Sequence, residues 1–502
     1  MIEIKIEEIM SKDYEIAAKA IDTAIKEQIG KESYSSAQTA NRYYESDHDI
    51  KNNRIFYLDD NGVLKEDKYA TNVQIPHSFF TELVDQKVNY LMSNPVRFEV
   101  KENDELQRLI DEYVDEDFQL FVSELLEDVS ISGATYAYMR TNADDKLCFQ
   151  VSRFLKTFMV YDETYDEVAV IRYYKKQMQV ENKLLDVMFA ERWTDENVTY
   201  FKTDRNGKLI FDKDRPKNPK PHVVAKADNG TYLTRTYGRI PFYKLSNNHS
   251  EKSDLAPIKA LIDDYDLMAC FLSNNLMDYD KPIYVVSGFR GTNLSELRQN
   301  IKARGIVNVG NPDNKGNVDL KTFNIPFEAR KAKLEIDKEA IYKFGMGFDN
   351  SQTGDGNVTN VVIKSRYTLL EMKCRKVEIR LRSLLKWALH AIIDDINRLN
   401  QTNYSTEGIQ ILIEPEMIVN ESDIANVEKL EAETKQTLIN AIVSSAPYLG
   451  EDTVIDMICK QWDLDVEEVR KAIEADSEVG DNDESVGTGT AEVGEDSRPE
   501  DE

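Results

Sequence analysis

A helical pattern 40 residues long, at positions 361–400, constrains the fold of this chain more than any other feature. At about 1.5 Å per residue, an unbroken helix of that length would be about 60 Å long. Its apolar residues recur every three or four positions and form a single stripe: Val377, Leu381, Leu384, Leu385, Ala388, Ile392 and Ile396. The sequence therefore predicts one long amphipathic helix that buries one face.

The same segment is strongly basic within an acidic chain. Residues 361–390 contain only two acids, Glu371 and Glu378, against eight basic residues: Lys364, Arg366, Lys373, Arg375, Lys376, Arg380, Arg382 and Lys386. The whole chain has a formal net charge of −28, so this is its strongest local reversal of charge. Two hypotheses stay open for the basic surface. It forms an interface with acidic neighbours, which we favour, or it contacts DNA phosphates.

A soft polar loop precedes the long helix. Residues 344–360, FGMGFDNSQTGDGNVTN, contain four glycines and no hydrophobic anchor over nine residues. Ordering such a loop costs backbone entropy that burial does not offset. A phosphate-binding loop is excluded, because Gly356 is followed by Asn357 and Val358 instead of a Lys-Ser or Lys-Thr pair.

Length and composition exclude several protein classes. A chain of 502 residues has room for roughly three modules. It contains no run of about 18 apolar residues, so no transmembrane helix is predicted. Its N-terminus lacks the apolar core of a signal peptide, so we expect none. The four cysteines lie far apart in sequence, which favours buried thiols in a reducing compartment.

The sequence predicts no catalytic, metal or cofactor site. Its five histidines share no motif, and no Gly-x-Ser-x-Gly elbow is present. The adjacent carboxylates Asp263–Asp264 and Asp394–Asp395 could in principle hold Mg²⁺. Neighbouring helical residues point about 100° apart, however, so solvated charges are the better interpretation. We therefore do not expect an enzyme.

The order of the predicted elements indicates an α+β fold. A β-rich region with seven strands, between positions 134 and 236, separates two sets of helices. The helix after this region takes Ser253 as its N-cap, and Pro326 opens another helix beyond a small α/β insert. The remaining predictions are a polar linker after the N-terminal helix, a short helix at 41–46, a hairpin at 54–65, helices at 104–113 and 117–131, a strand at 409–415, and helices from 421 to 475.

The C-terminal residues 476–502 are predicted to be disordered. They contain eleven acids against one basic residue, Arg498, and no aromatic residue. Such a composition cannot build a core. The segment contributes −10 to the net charge and leaves −18 on the rest, which disfavours ordinary groove binding to nucleic acid.

Four strings in this order resemble the portal proteins of tailed bacteriophages of the long-tailed siphophage type. They are LVDQKVNYLMSNPV at 83–96, IRYYKK at 171–176, GRIPFYKLSNN at 238–248 and SDLAPIKALIDDYD at 253–266. The succession of helix, α/β insert, helix, loop and long helix extends the resemblance over residues 41–475. None of the strings is catalytic.

The resemblance implies a ring, usually of twelve subunits, around a channel at one capsid vertex. It assigns these regions: an N-terminal helix and linker at 1–40, a wing at 41–252, the first stem helix at 253–280, a clip at 281–325, the second stem helix at 326–346, a tunnel loop at 347–360, a long wing helix and strand at 361–418, a helical crown at 419–475 and an acidic tail at 476–502.

The resemblance also implies functional residues. The tunnel loop would line the DNA path with Asn350, Ser351, Gln352, Thr353, Asp355, Asn357, Thr359 and Asn360. The stem would present Asp263, Asp266 and Asp278 to the channel. The clip would contact partners through Arg290 and Arg298.

The implied function is structural. The ring would pass double-stranded DNA during packaging by the terminase large subunit and during ejection. It would also dock the head-tail adaptor, contact the major capsid and scaffolding proteins, and act as a nucleator of procapsid assembly. It would need no cofactor and no membrane, and it would assemble in the host bacterial cytoplasm before residing in the virion. A Mg²⁺-dependent nucleic-acid-processing enzyme and a multidomain interaction scaffold remain as alternatives.

Overall fold

The computed structural model describes residues 6–68, 70–101, 103–142, 145–180, 183–226, 232–279, 283–287, 317–321, 326–349, 360–416, 421–449, 451–462, 466 and 469–471. The chain divides into two compact units. The first contains Met1–Gly356 and Val361–Ile418, and the second contains Asn357–Asn360 and Val419–Glu502. Within the described residues, no helix is both long enough and apolar enough to cross a bilayer.

Helices and strands both contribute substantially, so the fold class is α+β as predicted. The helices are α1 (Ile6–Ile9), α2 (Tyr14–Gly30), α3 (Glu32–Tyr44), α4 (Phe79–Leu91), α5 (Asp104–Asp111), α6 (Glu116–Ser132), α7 (Lys259–Tyr279), α8 (Phe327–Gly345), α9 (Asn360–Asn400), α10 (Glu421–Ser445) and α11 (Glu451–Trp462).

The strands are mostly short and all pair antiparallel. They are β1 (Phe56–Leu58), β2 (Leu64–Glu66), β3 (Arg97–Val100), β4 (Ala134–Thr141), β5 (Leu147–Arg153), β6 (Thr157–Tyr161), β7 (Glu167–Val180), β8 (Lys183–Trp193), β9 (Asn197–Thr203), β10 (Leu209–Phe211), β11 (Lys220–Pro221), β12 (Val223–Lys226), β13 (Tyr232–Arg235), β14 (Phe242–Ser246), β15 (Ile283–Ser287), β16 (Asn317–Lys321) and β17 (Ile409–Leu412).

The largest hydrophobic core surrounds the long helix α9. Its buried stripe, which includes Leu381, Leu384, Leu385 and Ile392 at 0% exposure, packs with α4, α5, α6, the start of α7 and the end of α8. The sheet β14-β4-β5 adjoins the same core. The stripe predicted from sequence is thus the buried face.

A larger sheet, in the order β10-β9-β8-β7-β6 with β11 beside β9, carries two smaller cores. Helix α2 packs on it through small residues such as Ala17 and through Ile21, both at 0% exposure. The other core joins this sheet to β14-β4-β5 through Trp193, Phe242 and Tyr136. The seven strands predicted between 134 and 236 are confirmed.

One prediction near the N-terminus is wrong. The predicted polar linker and the short helix at 41–46 together form one helix, α3. Its buried residues are Ala37, Ala40 and Tyr43, spaced three apart, while its serines and Gln38 face solvent. Small alanines bury a helix without raising the hydrophobicity of its sequence, which is why composition alone indicated a linker.

The start of α7 also differs from the prediction. The helix begins at Lys259 instead of after Ser253. The Ser253 hydroxyl oxygen does accept a hydrogen bond from the Leu255 amide at 3.1 Å, but residues 254–258 form turns. In this turn segment the Asp254 carboxylate contacts Lys87 and Lys373 in a buried ion cluster.

Other predictions agree with the structure where it describes them. The hairpin, the helix opened by Pro326, the two helices after residue 104, the late strand, and helices within the predicted range from 421 onward are present. Of the clip, strands β15 and β16 are described and pair with each other. The rest of the insert, with Arg290 and Arg298, lies outside the described residues, as do 350–359 and the acidic tail.

Candidate functional site

Helices α7 and α8, the predicted stem helices, pack against each other through an ion cluster. The Lys333 ammonium lies 2.6 Å from an Asp264 carboxylate oxygen and also contacts the buried Asp337. Hydrogen bonds to Asp264 and then to Asp337 raise the pKa of Lys333. The pair of stem helices is therefore held together by charge as well as by its narrow apolar contact.

Residues 71–77 form an extended strap that runs along α7. The Val73 amide donates to Asn274 at 2.7 Å and the Ile75 amide to Cys270 Sγ at 3.3 Å. At the two ends of the strap, the Thr71 hydroxyl donates to Asp278 at 2.7 Å and the His77 amide donates to Asp266 at 2.9 Å. Two extended residues advance about 6.6 Å and four helical residues about 6 Å, so the two repeats match.

This strap explains a line of polar residues on α7 at 266, 270, 274 and 278. The helix supplies one acceptor per turn, to the backbone amides of Val73, Ile75 and His77 and to the side-chain hydroxyl of Thr71. The signal was present in the sequence as a four-residue repeat of polar or sulfur-bearing side chains. Its partner segment lies about 200 positions away, so the sequence gave no reason to connect the two.

Asp266 does not face a channel, contrary to the prediction. It is 0% exposed, and its two carboxylate oxygens lie 2.7 Å from His48 Nδ1 and 2.8 Å from His77 Nδ1. Burial alone would raise the pKa of Asp266. The hydrogen bonds and charges of the two histidines lower it by more than burial raises it, so the net pKa lies below its usual range. Asp266 therefore joins α7 to two segments of the N-terminal region.

The other two predicted stem residues are partly exposed. Asp263 accepts hydrogen bonds from the Tyr43 hydroxyl and from Lys259, the latter at 2.7 Å. Asp278 accepts from Thr71 in the strap. A role of these two carboxylates in lining a channel stays a prediction.

A buried ion cluster connects the elements around the loop. Lys87 of α4 is 0% exposed, and its ammonium lies 2.7 Å from Asn247 Oδ1 and 2.9 Å from Asp254 Oδ2. Lys373 of α9 lies 3.2 Å from the same Asp254 oxygen and donates to the Gly345 carbonyl at 2.9 Å. One carboxylate thus ties α4, α9 and the segment before α7 together.

The charges of this cluster change its pKa values in the expected directions. Burial lowers the pKa of Lys87. Burial alone would raise the pKa of Asp254, but the ammonium groups of Lys373 and Lys87 lower it by more, so it stays ionised. We call Lys87, Asn247, Asp254 and Lys373 the joint cluster.

The loop before α9 starts from a fixed base. Helix α8 ends with Met346 in the left-handed region at φ +56°, and the Gly347 amide donates to the Tyr342 carbonyl at 3.0 Å. A Cβ on Gly345 would lie 2.6 Å from Leu83 Cδ1 of α4, and one on Gly347 would also collide with Leu83. Both glycines therefore permit close packing against α4. The sequence alone had suggested only that they make the loop easy to deform.

Phe348 fixes the next residue of the base. The Gln86 side chain donates to the Phe348 carbonyl at 2.7 Å and accepts from its amide at 3.2 Å, as a paired strand would. The Phe348 ring lies 4.6 Å from the Tyr367 ring of α9, centroid to centroid. Asp349 pairs with Lys338 at 2.7 Å. Phe348 therefore lies directly before the nine residues without a hydrophobic side chain, 349–357, and the first of these, Asp349, is held by its ion pair.

Of the eight predicted loop residues, the structure describes one. Asn360 is the first residue of α9 and so belongs to the helix. The other seven, Asn350, Ser351, Gln352, Thr353, Asp355, Asn357 and Thr359, lie outside the described residues. The structure thus defines where the loop leaves and re-enters the fold.

Among the described residues, no group of three or more His, Cys, Asp or Glu side chains is placed to hold a metal ion. A cavity of about 980 Å³ lies beside the joint cluster, and Lys252, Lys373, Lys376 and Arg380 line it together with Asp254. Its lining is mainly cationic and aliphatic, which suits an interface more than an acid–base site.

Comparison with known proteins agrees with this arrangement. Residues 24–455 match the sequence model of the family described as "Phage portal protein, SPP1 Gp6-like". The chain is similar to the portal protein of Bacillus phage SPP1, at 28% identity over 350 residues, covering 69% of this chain and 67% of the relative. It is also similar to the portal protein of Clostridium phage phiCD119, at 26% identity over 378 residues, covering 70% and 80% respectively.

A solved structure described as "Neck of empty GTA particle computed with C6 symmetry" aligns at 12% identity with a TM-score of 0.37, covering 76% of this chain and 90% of that one. The family match spans nearly the whole folded chain, and the resemblance noted in the sequence is thereby confirmed. Members of this family are structural, ring-forming proteins of the virion that act at the capsid vertex. The chain belongs to the phage portal protein family of the SPP1 Gp6-like type.

Proposed function

We propose that this portal protein forms a ring of about twelve subunits whose channel conducts double-stranded DNA, inward during packaging by the terminase motor and outward during ejection. In this proposal α7 and α8 are the stem, residues 281–325 the clip, 347–360 the tunnel loop, α9 the wing helix and 419–475 the crown. The clip would dock the terminase large subunit and later the head-tail adaptor. The ring would also contact the capsid and scaffolding proteins.

The observation that carries the proposal is the fixed base of the loop. Gln86 holds both backbone groups of Phe348, and Leu83 packs against the two glycines. The loop would therefore be polar and adaptable only beyond Asp349. A polar, glycine-containing segment on a rigid mount would suit contact with a duplex whose helical symmetry does not match that of a ring.

The side chains of the loop suit DNA that slides past them better than DNA that binds tightly to them. A duplex carries one negative charge per 1.7 Å or so, and each lysine that neutralises a phosphate adds affinity through counterion release. Residues 350–359 contain one acid and no lysine or arginine. Short amide and hydroxyl side chains can exchange hydrogen bonds with passing phosphates without holding them.

The test adds grip to the loop. Substituting Asn350→Lys, Gln352→Lys and Asn357→Lys adds three positive charges per subunit, so packaging in vitro should slow or stall, more at low salt than at high. Ring assembly and motor docking should persist. A control with Ser33→Lys, Ser36→Lys and Gln38→Lys adds the same charge on the exposed surface of α3.

An unchanged packaging rate at low salt in the loop variant would show that this loop does not line the DNA path. Equal slowing in the control would trace the effect to net charge, and would also contradict the assignment.

A further inference from the structure

Helix α9 exposes a stripe opposite its buried face. The outer stripe consists of residues spaced three or four apart: Leu369, Met372, Lys376, Ile379, Ser383 and Lys386. Met372 is 53% exposed and Ile379 is 70% exposed. Large apolar side chains at that spacing mark a surface that another element can cover.

The acids of α9 are already paired, so they do not neutralise this stripe. Glu371 contacts Arg375 at 2.5 Å, and Glu378 contacts Arg382 at 2.8 Å. Near the other end of the helix, Asp394 pairs with Arg239. Within the described part of the helix, no acid remains to pair with Lys376 and Lys386.

Helix α6 presents the opposite character. It contains five acids and no lysine or arginine. Its exposed residues Glu116, Asp117, Leu120 and Glu124 form an acidic face around one apolar side chain, and Leu120 is 57% exposed. Asp117, Leu120 and Glu124 follow at intervals of three and four, as Lys376, Ile379 and Ser383 do. In this alignment the acid Asp117 corresponds to the base Lys376, Leu120 corresponds to Ile379, and Glu124 corresponds to the neutral Ser383.

The outer stripe and the acidic face lie on different sides of one core. Phe118 and Phe121, on the buried side of α6, lie 5.6 and 5.7 Å from the ring of Phe149 in β5. Phe149 in turn lies 6.0 Å from Trp387 of α9. The aromatic contacts fill the space between the two helices, so the two surfaces cannot neutralise each other within one chain.

We propose that the outer stripe of α9 in one subunit docks on the acidic face of α6 in the next copy of this chain. The contact deepens the ring proposed above and rests on it. Two different patches that meet head to tail form a heterologous interface, which closes into a ring when the rotation per copy allows. The lysines would meet carboxylates at the rim, and Ile379 and Met372 would bury Leu120 between them.

DNA is the less suitable occupant of the outer stripe. Phosphate contacts would satisfy Lys376 and Lys386 but would leave Leu369, Met372 and Ile379 in water. A helix with matching apolar and charged positions covers both kinds of side chain. The charge pattern of the chain itself thus favours a second copy.

The experiment exchanges charges and then mixes the variants. Lys376→Glu/Lys386→Glu makes the stripe acidic, and Asp117→Lys/Glu124→Lys makes the face of α6 basic. Each variant alone would bring like charges together at every contact, so ring assembly should need at least about ten times more protein than the wild type. In an equimolar mixture, alternating copies restore opposite charges at every contact, so rings should form nearly as readily as in the wild type.

Native mass spectrometry gives the ring population, and circular dichroism checks that each variant is folded. Lys19→Glu/Lys208→Glu, on the exposed surfaces of α2 and the turn before β10, is the control for net charge and should assemble as the wild type does. All changed residues are exposed, so folding should be retained.

Three results would overturn the contact. Either variant alone could assemble as the wild type does, or the folded variants could stay apart when mixed. The variant Lys376→Glu/Lys386→Glu could also assemble normally but lose salt-dependent affinity for duplex DNA, which would assign the stripe to DNA. A wild-type chain that never forms rings would instead overturn the proposed ring itself, which distinguishes the two failures.

Discussion

Removing Asp254 should destabilise the portal protein strongly, because this one carboxylate compensates two cations. Its Oδ2 lies 2.9 Å from the Lys87 ammonium and 3.2 Å from that of Lys373. The Lys87 side chain is 1% exposed, so its ammonium depends on these protein partners instead of water. Asp254→Ala therefore leaves a buried ammonium with one amide acceptor and a second cation nearby.

The expected loss is about 3–5 kcal/mol. Unit charges about 3 Å apart attract each other by about 5–6 kcal/mol at an effective dielectric constant near 20. Desolvation of the charges offsets part of this attraction, and removing one partner of a buried pair typically costs about 3–5 kcal/mol. The double variant Lys87→Met/Asp254→Ala removes the stranded charge, so it should be more stable than Asp254→Ala.

Urea unfolding followed by circular dichroism measures the wild type, both single variants and the double variant. The free energies of unfolding should be non-additive by about 1–3 kcal/mol, because the two residues are in contact. A loss below about 1 kcal/mol for Asp254→Ala, or additive effects in the double variant, would refute the electrostatic account.

The same cluster gives a pH dependence with a definite sign. The pKa of Asp254 lies below its usual range in the folded protein, so its stabilisation is fully present above the ordinary carboxyl pKa of about 4 and is lost as the pH falls below that value. The wild type should therefore lose stability on acidification below about pH 4. Asp254→Ala should lose less over that interval, and an equal loss in both proteins would contradict the assignment.

Two further predictions concern the clip and the base of the loop. Arg290→Glu/Arg298→Glu should weaken docking of the motor or the adaptor while rings still form by native mass spectrometry, and loss of the ring would make these arginines structural instead. Gly347→Ala should lower the free energy of unfolding by about 1–3 kcal/mol, since its Cβ would collide with Leu83 and lie 2.8 Å from Gln86 Oε1. Gly30→Ala is the matched control, because its Cβ would meet nothing within 4 Å, and equal costs for the two changes would disprove the close approach.

The periodic part of the fold could be predicted from the sequence. Apolar residues at helical spacing, such as Leu381, Leu384, Leu385 and Ile392, lie on one face of the helix. That face can therefore be predicted to be buried from the spacing alone. Helix α3 escaped prediction because its buried face is made of alanines and Tyr43, which a polar average conceals. The three-residue spacing of a buried helical face was present in the sequence, but two of its three side chains are alanines.

The sequence indicated which segments contain the candidate site, but it did not indicate which residues contact each other there. Its components are pairs of distant residues, such as Gln86 with Phe348, Lys87 with Asp254, and His48 with Asp266. Nothing local marks Lys87 as buried, since a lysine on an amphipathic helix normally faces water. The resemblance assigned Asp266 to the channel, and nothing local in the sequence shows that His48 and His77 cover this carboxylate.

The fixed base determines how far the proposed tunnel loop can move without disturbing the ring. Ten residues separate Asp349, paired with Lys338, from Asn360 at the start of α9. Eleven Cα–Cα steps therefore join the two ends, and at no more than about 3.6 Å per step a chain that must return to its base can reach at most about 20 Å from it. In the proposed function, adaptation within that radius would leave the base unchanged, because Leu83, Gln86 and Tyr367 hold residues 345–348 in place. Adaptation to a moving duplex and stability of the ring would then depend on different residues, which is why substitutions in the loop and in the joint cluster should give separable effects.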